Sequence, residues 1–405
     1  MSQTVTDPKS GTANADRSMA FLAFVAIVFL GYIILRDISL KHAVLFMIGT
    51  GLGMALLHAS FGFSGGWRNF IRDGDGRAVR AHILLLALAS AMAIPILAGV
   101  FPSLHASPAM GPVGISVIVG SFLFGIGMQL GGGCGSGTLY TVGGGHVRML
   151  ITLSFFIIGA TLGSLHLGWW LQMPSIGKIS LITELGWPVA LVAQFALLGL
   201  LFFIASAIES RSRQPIMKIF DDEALGITRH RLLYGPWPIL WGVVALAIFG
   251  LLTLIIAGYP WSITFAFGLW GAKIWTALGG DLSNWAFWSG GYPEKALGRT
   301  VLADITSVMD FGIILGAVLA ASLANRFAPE GEFNIGNIMT AIIGGLLLGY
   351  GARLAFGCNI GALLGGISSA SVHGWLWLVF AFMGNIVGTH LRVMFGIDEP
   401  IGSSG

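Results

Sequence analysis

Runs of about 20 apolar residues, the length a helix needs to cross a bilayer, recur from one end of the chain to the other. They lie near 19–36, 43–60, 81–101, 113–131, 148–170, 186–207, 237–258, 261–279, 303–324, 337–357 and 372–395. Only 10% of the 405 residues are charged and 55% are hydrophobic, whereas a soluble surface draws on roughly 25% charged residues. Most of this surface must therefore face lipid. Long alternating β-segments are absent, so the fold expected is an all-α polytopic membrane bundle of nine to eleven crossings, not a barrel. Glycine breaks several runs, and such segments are expected to turn back as half-helices.

The remaining charges divide the chain. A polar N-terminal tail, 1–18, holds Asp7, Lys9, Asp16 and Arg17. After the first apolar run comes Tyr32-Ile-Ile-Leu-Arg36 instead of a small-residue cleavage site, so an uncleaved span is expected. A basic connector, 208–236, carries Arg211, Arg213, Lys218, Arg229, His230 and Arg231 and ends in Gly235-Pro236. It separates a first transmembrane half, 19–207, from a second, 237–396, which a C-terminal tail, 397–405, follows. Arg68, Arg72, Arg77 and Arg80 form another basic group, while the loop 102–112 has no Lys, Arg, Asp or Glu. Loops enriched in Lys and Arg face the cytoplasm, and both basic groups are expected there. Each is short and sits beside a span, which argues against nucleic acid as a partner.

The halves are expected to be internal repeats. Residues 117–140 match 341–364 at a constant shift of 224: Gly120, Gly125, Gly127, Leu130, Gly133, Cys134, Gly137 and Leu139 fall on Gly344, Gly349, Gly351, Leu354, Gly357, Cys358, Gly361 and Leu363. Ser64-Gly-Gly matches Ser289-Gly-Gly at a shift of 225. Glycine matches are common in membrane sequence, but the chain has two cysteines and they are equivalent. Duplicated halves with interrupted helices are a transporter signature, with the substrate held between the halves. Whether the repeats are parallel or inverted is open at this level.

The paired motifs read Leu130-Gly-Gly-Gly-Cys134-Gly-Ser-Gly-Thr138 and Leu354-Ala-Phe-Gly-Cys358-Asn-Ile-Gly-Ala362. Irregular backbone survives inside a bilayer only where protein or a cavity satisfies it. Each motif is expected to be a break between half-helices that lines an internal passage and offers freed N–H groups to an anion. The candidate substrate-binding set is Cys134 and Cys358 with Gly133, Gly135, Gly137, Gly357, Asn359 and Gly361. An isolated membrane cysteine is most often a small buried hydrophobe; equivalence in the two halves raises these two above that reading.

Five residues before each cysteine stands a polar side chain, Gln129 or Arg353. An arginine inside a span costs roughly 2.5–3.5 kcal/mol and usually has a partner. Asp304 and Asp310 are the candidates, so Arg353 reads either as an anion attractor or as half of a buried brace. Lys273 reads the same way, or snorkels. The Ser-Gly-Gly blocks are expected to be a second pair of breaks followed by short helices. There Ser64 and Arg68 could draw an anion toward a cytoplasmic mouth, the simpler reading being ordinary positive-inside loops. His58, His146 and His373 read as satisfied polar residues.

No Walker sequence is present and the glycine runs open no βαβ unit, which excludes nucleotide cradles. No further cysteine and no His pair at ligand spacing supports zinc. Neither a cofactor nor a metal is expected.

With Phe-Ser-Gly-Gly-Trp-Arg68 added, these motifs resemble the YeeE/YedE family over roughly 43–165 and 260–392. The resemblance implies a bacterial inner-membrane permease for sulfur species, thiosulfate foremost, in an hourglass-shaped bundle whose half-helices meet centrally. It implies cysteines, here Cys134 and Cys358, that hand the anion along by S–H···S hydrogen bonds. It also implies a small cytoplasmic sulfur-carrier partner resembling TusA. Family members commonly carry a further cysteine where this chain has Gly62; either that thiol is dispensable, or the substrate differs and is sulfide, sulfite, polysulfide, a selenium compound or another anion. The rival readings are a membrane thiol oxidoreductase or sulfurtransferase using both cysteines, and a passive channel for another small solute.

Overall fold

The structure, a computed structural model, describes residues 10–211, 229–327, 329 and 334–398. Asp7, Lys9, Arg213, Lys218, most of the connector and most of the C-terminal tail lie outside them. The first half holds α1 (Ser10–Asp37), α2 (Leu40–His58), α3 (Phe63–Asp73), α4 (Arg77–Leu97), α5 (Ile115–Gly131), α6 (Gly135–Gly143), α7 (Val147–Trp170), α8 (Leu181–Leu185) and α9 (Trp187–Arg211). After α10 (Arg229–Tyr234), the second holds α11 (Ile239–Ala257), α12 (Thr264–Ala277), α13 (Gly291–Leu297), α14 (Ile305–Leu323) and α15 (Ile335–Leu354). A π-helical segment (Asn359–Leu364) runs into α16 (Gly365–Ser368), and α17 (Val372–Met394) closes the bundle. From α2 to α7 and from α12 to α17 the elements follow a similar order, except that α12, with 14 residues, is shorter than its counterpart α2, with 19.

Ten helical segments among the described residues are long and apolar enough to cross a membrane, and they coincide with ten of the eleven apolar runs. The exception is 261–279. Its helix, α12, has 14 residues and at 1.5 Å per residue reaches about 21 Å, short of a hydrocarbon core of roughly 30 Å. The preceding stretch, Gly258 to Ile263, is irregular and enters the core, with Trp261 and Ile263 buried. At the other end of the chain, α1 begins at Ser10, inside the stretch expected to be a tail.

Small residues let the long helices touch along their backbones, as in membrane helix pairs generally. A methyl group at Gly49 would lie 2.9 Å from Met309 Cα, and one at Gly53 would lie 2.9 Å from Ile313 Cα, so α2 and α14 pack side by side in the same direction. Between α5 and α15 the register runs oppositely. Ser116 Oγ donates to the Leu354 carbonyl (2.7 Å), Gly120 meets Gly351, and Gly127 meets Gly344. Gly125 packs on α17 beside Asn385, while its match Gly349 packs on α7 beside Gly159. The two matched blocks, 117–140 and 341–364, therefore lie antiparallel, each seated on the other half.

This inverted arrangement separates two ends. At the basic end, Arg72 and Arg392 pair with Asp398 (3.0 and 2.6 Å), and Arg80 pairs with Glu209 (2.8 Å) between α4 and α9. At the opposite end, Ser107 N–H donates to the Gly258 carbonyl (2.9 Å), and Leu181 N–H donates to the Ala370 carbonyl (2.8 Å). There His42 Nε2 lies 3.2 Å from the Ala303 carbonyl. The Ser64-Gly-Gly block is not itself a break but the first turn of α3, the break lying just before it at 59–62, whereas Ser289-Gly-Gly leads into α13. However, α3 stands at the basic end and α13 at the opposite one, so they do not frame one mouth.

Candidate functional site

Each Gly-Cys motif is a break, and each cysteine is the N-cap of the short helix beyond it. Gly132 in the left-handed region (φ 86°) turns the chain out of α5. Cys134 then sits in extended geometry and its Sγ accepts from Gly137 N–H (3.4 Å). In the second half Phe356 (φ 61°) and Gly357 (φ 148°) make the turn. Cys358 Sγ accepts from Ile360 N–H (3.4 Å). Left-handed backbone favours glycine, and a methyl at Gly357 would also come within 2.6 Å of Ala362 N.

The two caps face each other. A methyl group at Gly135 would lie 3.0 Å from Cys358 Sγ, and one at Gly137 would lie 3.4 Å from Cys134 Sγ. Both cysteines are buried and free, and α6 touches the π-helical segment. From this meeting point α6 runs toward the basic end and the π-helical segment with α16 runs toward the other. Two helix N-termini, each the partial positive end of its dipole, thus converge with a thiol on each. Asn359 follows Cys358 directly; it is fully buried, and neither its Oδ1 nor its Nδ2 has a partner. Gly361 leaves room for Ser262, whose Oγ would be 3.3 Å from a methyl there. Gly133 is packed on Met149 and the first turn of α6 and supplies closeness only.

A cavity lies on either side of the thiols. One of about 540 Å³ at the opposite end is lined by Ser262, Phe287, Tyr292, Arg353, Phe356 and Gly357, among others. One of about 300 Å³ toward the basic end is lined by Gly62, Ser64, Gly66, His82, Gly132 and Tyr140, among others. The thiols stand between the two.

Arg353 is not half of a brace. Its guanidinium lies over the Phe287 ring (4.3 Å), a cation–π contact, and its enclosed Nε and Nη2 have no hydrogen-bond partner. Asp304 instead caps α14, accepting from Ser307 N–H (2.8 Å) and from the hydroxyls of Ser307 and Tyr292 (2.7 Å each). Asp310 is fully buried, and among the described residues neither of its carboxyl oxygens has a partner. Lys273 donates to the carbonyls of Leu297 (2.8 Å) and Arg299.

Gln129, the counterpart of Arg353, lines neither cavity. Its Nε2 donates to the Ser64 carbonyl (3.0 Å) and to Asn385 Oδ1 (2.6 Å), tying α5 to α3 and α17. Arg68 lies outside both cavities, beside Arg72, Arg392 and Asp398. Ser64 lines the basic-end cavity, and its Oγ donates to the Gly132 carbonyl (3.4 Å). Of the histidines, His373 bonds Ser371 Oγ (2.7 Å), while His58 Nε2 is buried without a partner.

Sequence reasoning missed Ser262 and Ile263, which reach the site from the α11–α12 connection, and Tyr140. The signal for the first two was Gly258 and Pro260 breaking an apolar run. It also missed Arg148 and Arg392, which donate to the carbonyls of Leu130 and Gln129 (2.7 Å each). These are the orphan acceptors of the last turn of α5.

An all-α bundle with interrupted helices meeting between two cavities is a multi-pass membrane transport protein, not an enzyme. The chain belongs to the sulphur transport family, which matches residues 58–387, the family read from the motifs as YeeE/YedE. It is 29% identical over 351 residues to the thiosulfate transporter TsuA of Spirochaeta thermophila, covering 84% of this chain and 97% of that one. With the thiosulfate transporter TsuA of Escherichia coli it shares 24% identity over 355 residues, 83% and 90% of the two chains. The probable transporter YedE of Escherichia coli is 30% identical over 166 residues, 41% of this chain and 40% of that one.

Proposed function

We propose that this protein is a permease that imports a small sulfur-containing anion, thiosulfate, across a bacterial cytoplasmic membrane. The observation that carries the reading is the pair of thiols capping two facing half-helices, with Gly135 holding the space between them. A dianion cannot enter a low-dielectric interior without compensation, and two converging N-termini supply it without a fixed cation that would trap it. Thiosulfate also carries a terminal sulfur, soft and weakly accepting, and a polarizable thiol suits it. The anion enters the larger cavity, where the unpartnered nitrogens of Arg353 meet it, and is passed from Cys358 to Cys134 by S–H···S contacts. It leaves through the smaller cavity, and no covalent bond forms.

The basic end faces the cytoplasm on this reading, because arginines gather there. A small TusA-like sulfur carrier collecting the product there belongs to the same account, as does the origin of the two halves by duplication.

The test is uptake of labelled thiosulfate by cells lacking other importers. Serine is a preferred N-cap, so the Cys134→Ser, Cys358→Ser double variant keeps both caps and removes only the thiols. Uptake is expected to fall at least about tenfold, roughly 1.4 kcal/mol at the barrier. Unchanged uptake would refute the thiol role.

A further inference from the structure

The Asp310 carboxyl is fully buried within α14, and among the described residues neither oxygen has a hydrogen-bond or ionic partner. Its direction follows from its neighbours on the helix. Met309 and Ile313 are turned to α2, and Val308, Phe311 and Leu315 pack with the Ile27–Ile34 cluster of α1. Ile314 and Ala317 receive α6, since a methyl at Gly143 would lie 2.6 Å from Ala317 Cβ. Asp310 is one turn before Ile314 on that same stripe. It therefore faces inward along α6 toward the helix start that Cys134 caps.

Among the described residues, the ionisable groups on the surrounding elements leave Asp310 without a counter-charge. Lys41 and His42 stand at one end of α2 and His58 at the other; Lys41 donates to the Ala257 carbonyl and His42 is engaged with the Ala303 carbonyl. Lys273 on α12 donates to backbone carbonyls. The charged residues of α1 and of α10 lie toward the helix ends. Tyr140 and Cys134 on α6, Cys358 opposite, and Asp304 on the same helix are all groups that become negative when ionised. A buried carboxyl in such surroundings takes a proton in place of a cation. In that form it can donate a hydrogen bond to an anion; ionised, it only accepts and repels one.

Building on the thiosulfate reading above, we propose that Asp310 is a proton-carrying site that couples each anion passage to one proton. The protonated acid admits the anion to the thiols. When the anion leaves toward the basic end, the proton leaves Asp310 to the same side, and the carboxylate takes the next proton from the side of entry. A dianion thus crosses with one proton, and nothing is oxidised or reduced.

The test uses the full chain in liposomes, with thiosulfate as the probe and the membrane potential clamped at zero. With one proton per anion, an inward-directed proton gradient of about one pH unit, acid outside, raises steady-state thiosulfate accumulation about tenfold. Asp310→Asn keeps a neutral donor and acceptor. It should preserve thiosulfate counterflow within about twofold while abolishing accumulation and the accompanying acidification of the lumen; Asp310→Glu should restore both. Counterflow without proton entry in the native protein, or full accumulation by Asp310→Asn, would overturn the inference. If the native protein shows no thiosulfate counterflow, the substrate reading fails instead. Infrared difference spectra of the native protein against Asp310→Asn at neutral pH then decide: a protonated-carboxyl band belonging to Asp310 supports the site, and its absence overturns it.

Discussion

Cys358 Sγ rests against the backbone of Gly135, so near that a methyl group there would lie 3.0 Å away. One half of the chain thereby supplies the floor on which the other half's thiol sits, and that floor is the residue directly after Cys134. Each thiol caps its own helix through a weak N–H···S contact, and Cys134 Sγ also lies 3.4 Å from Ser136 Oγ; a passing anion can replace contacts this weak at little cost.

Gly135→Ala should therefore act on transport far more than on stability. Alanine suits a helix start, and the added methyl presses only on Cys358. Thiosulfate uptake is expected to fall about tenfold, roughly 1.4 kcal/mol at the barrier, with thermal unfolding in detergent moved by no more than about 1 kcal/mol. Equal loss of uptake and of folded protein would contradict the placement.

Arg353→Gln separates capture from passage. No ion pair depends on Arg353, so stability should change by less than about 1 kcal/mol apart from the lost contact with Phe287. Concentration dependence of uptake should show KM raised about tenfold with the maximal rate little changed, as for a group that binds ground state and barrier alike. A collapse of maximal rate would put Arg353 in the narrow part of the path.

Gly62→Cys restores the residue the family often has, yet it should not restore a working third thiol here. A Cβ at Gly62 would lie 2.9 Å from Tyr140 Oη, so the tyrosine must move. Overpacking of this kind costs about 1–3 kcal/mol. Adding Tyr140→Phe, which removes the hydroxyl, should recover most of it in thermal unfolding.

Arg353 and Gln129 show what the sequence could and could not tell. Both stand five residues before a cysteine, and their equivalence was legible from spacing alone, as were ten of the crossings and both thiol-bearing breaks. What each side chain meets was not. Gln129 is taken up by Ser64 and Asn385, whereas at Arg353 the 3-10 turn Ala286–Trp288 presents Phe287, which holds the guanidinium without satisfying its hydrogen bonds. Charge alone had suggested Asp304 or Asp310 as its partner, but Asp304 is spent as a helix cap. The run 261–279 misled for another reason: hydropathy counts apolar residues, and an irregular entry followed by a short buried helix is as apolar as a span. The direction of the second half rests on contacts such as Ser116 with Leu354, which no one-dimensional pattern contains.

Acid should loosen the basic end. Hydrogen bonding from Arg392 holds the Asp398 carboxyl below its ordinary range. A lowered carboxylate contributes stability that is present above its unfolded-state value and is lost as pH falls through the folded one. Protection factors of the Phe395 to Asp398 amides, exchange rates corrected for the intrinsic rate at each pH, should be high at neutral pH and fall several-fold by about pH 3. Asp398→Asn should show the low protection already at neutral pH. A variant as well protected as the native protein would remove the pairs with Arg72 and Arg392 from the account.

The central claim is tested most directly by an experimental structure of the protein with thiosulfate. The account predicts density for one anion between Cys134 and Cys358, its terminal sulfur within contact of a thiol and its charge facing the N-termini of α6 and the π-helical segment. Sulfurs walled apart by filled packing, with the anion bound elsewhere, would contradict it.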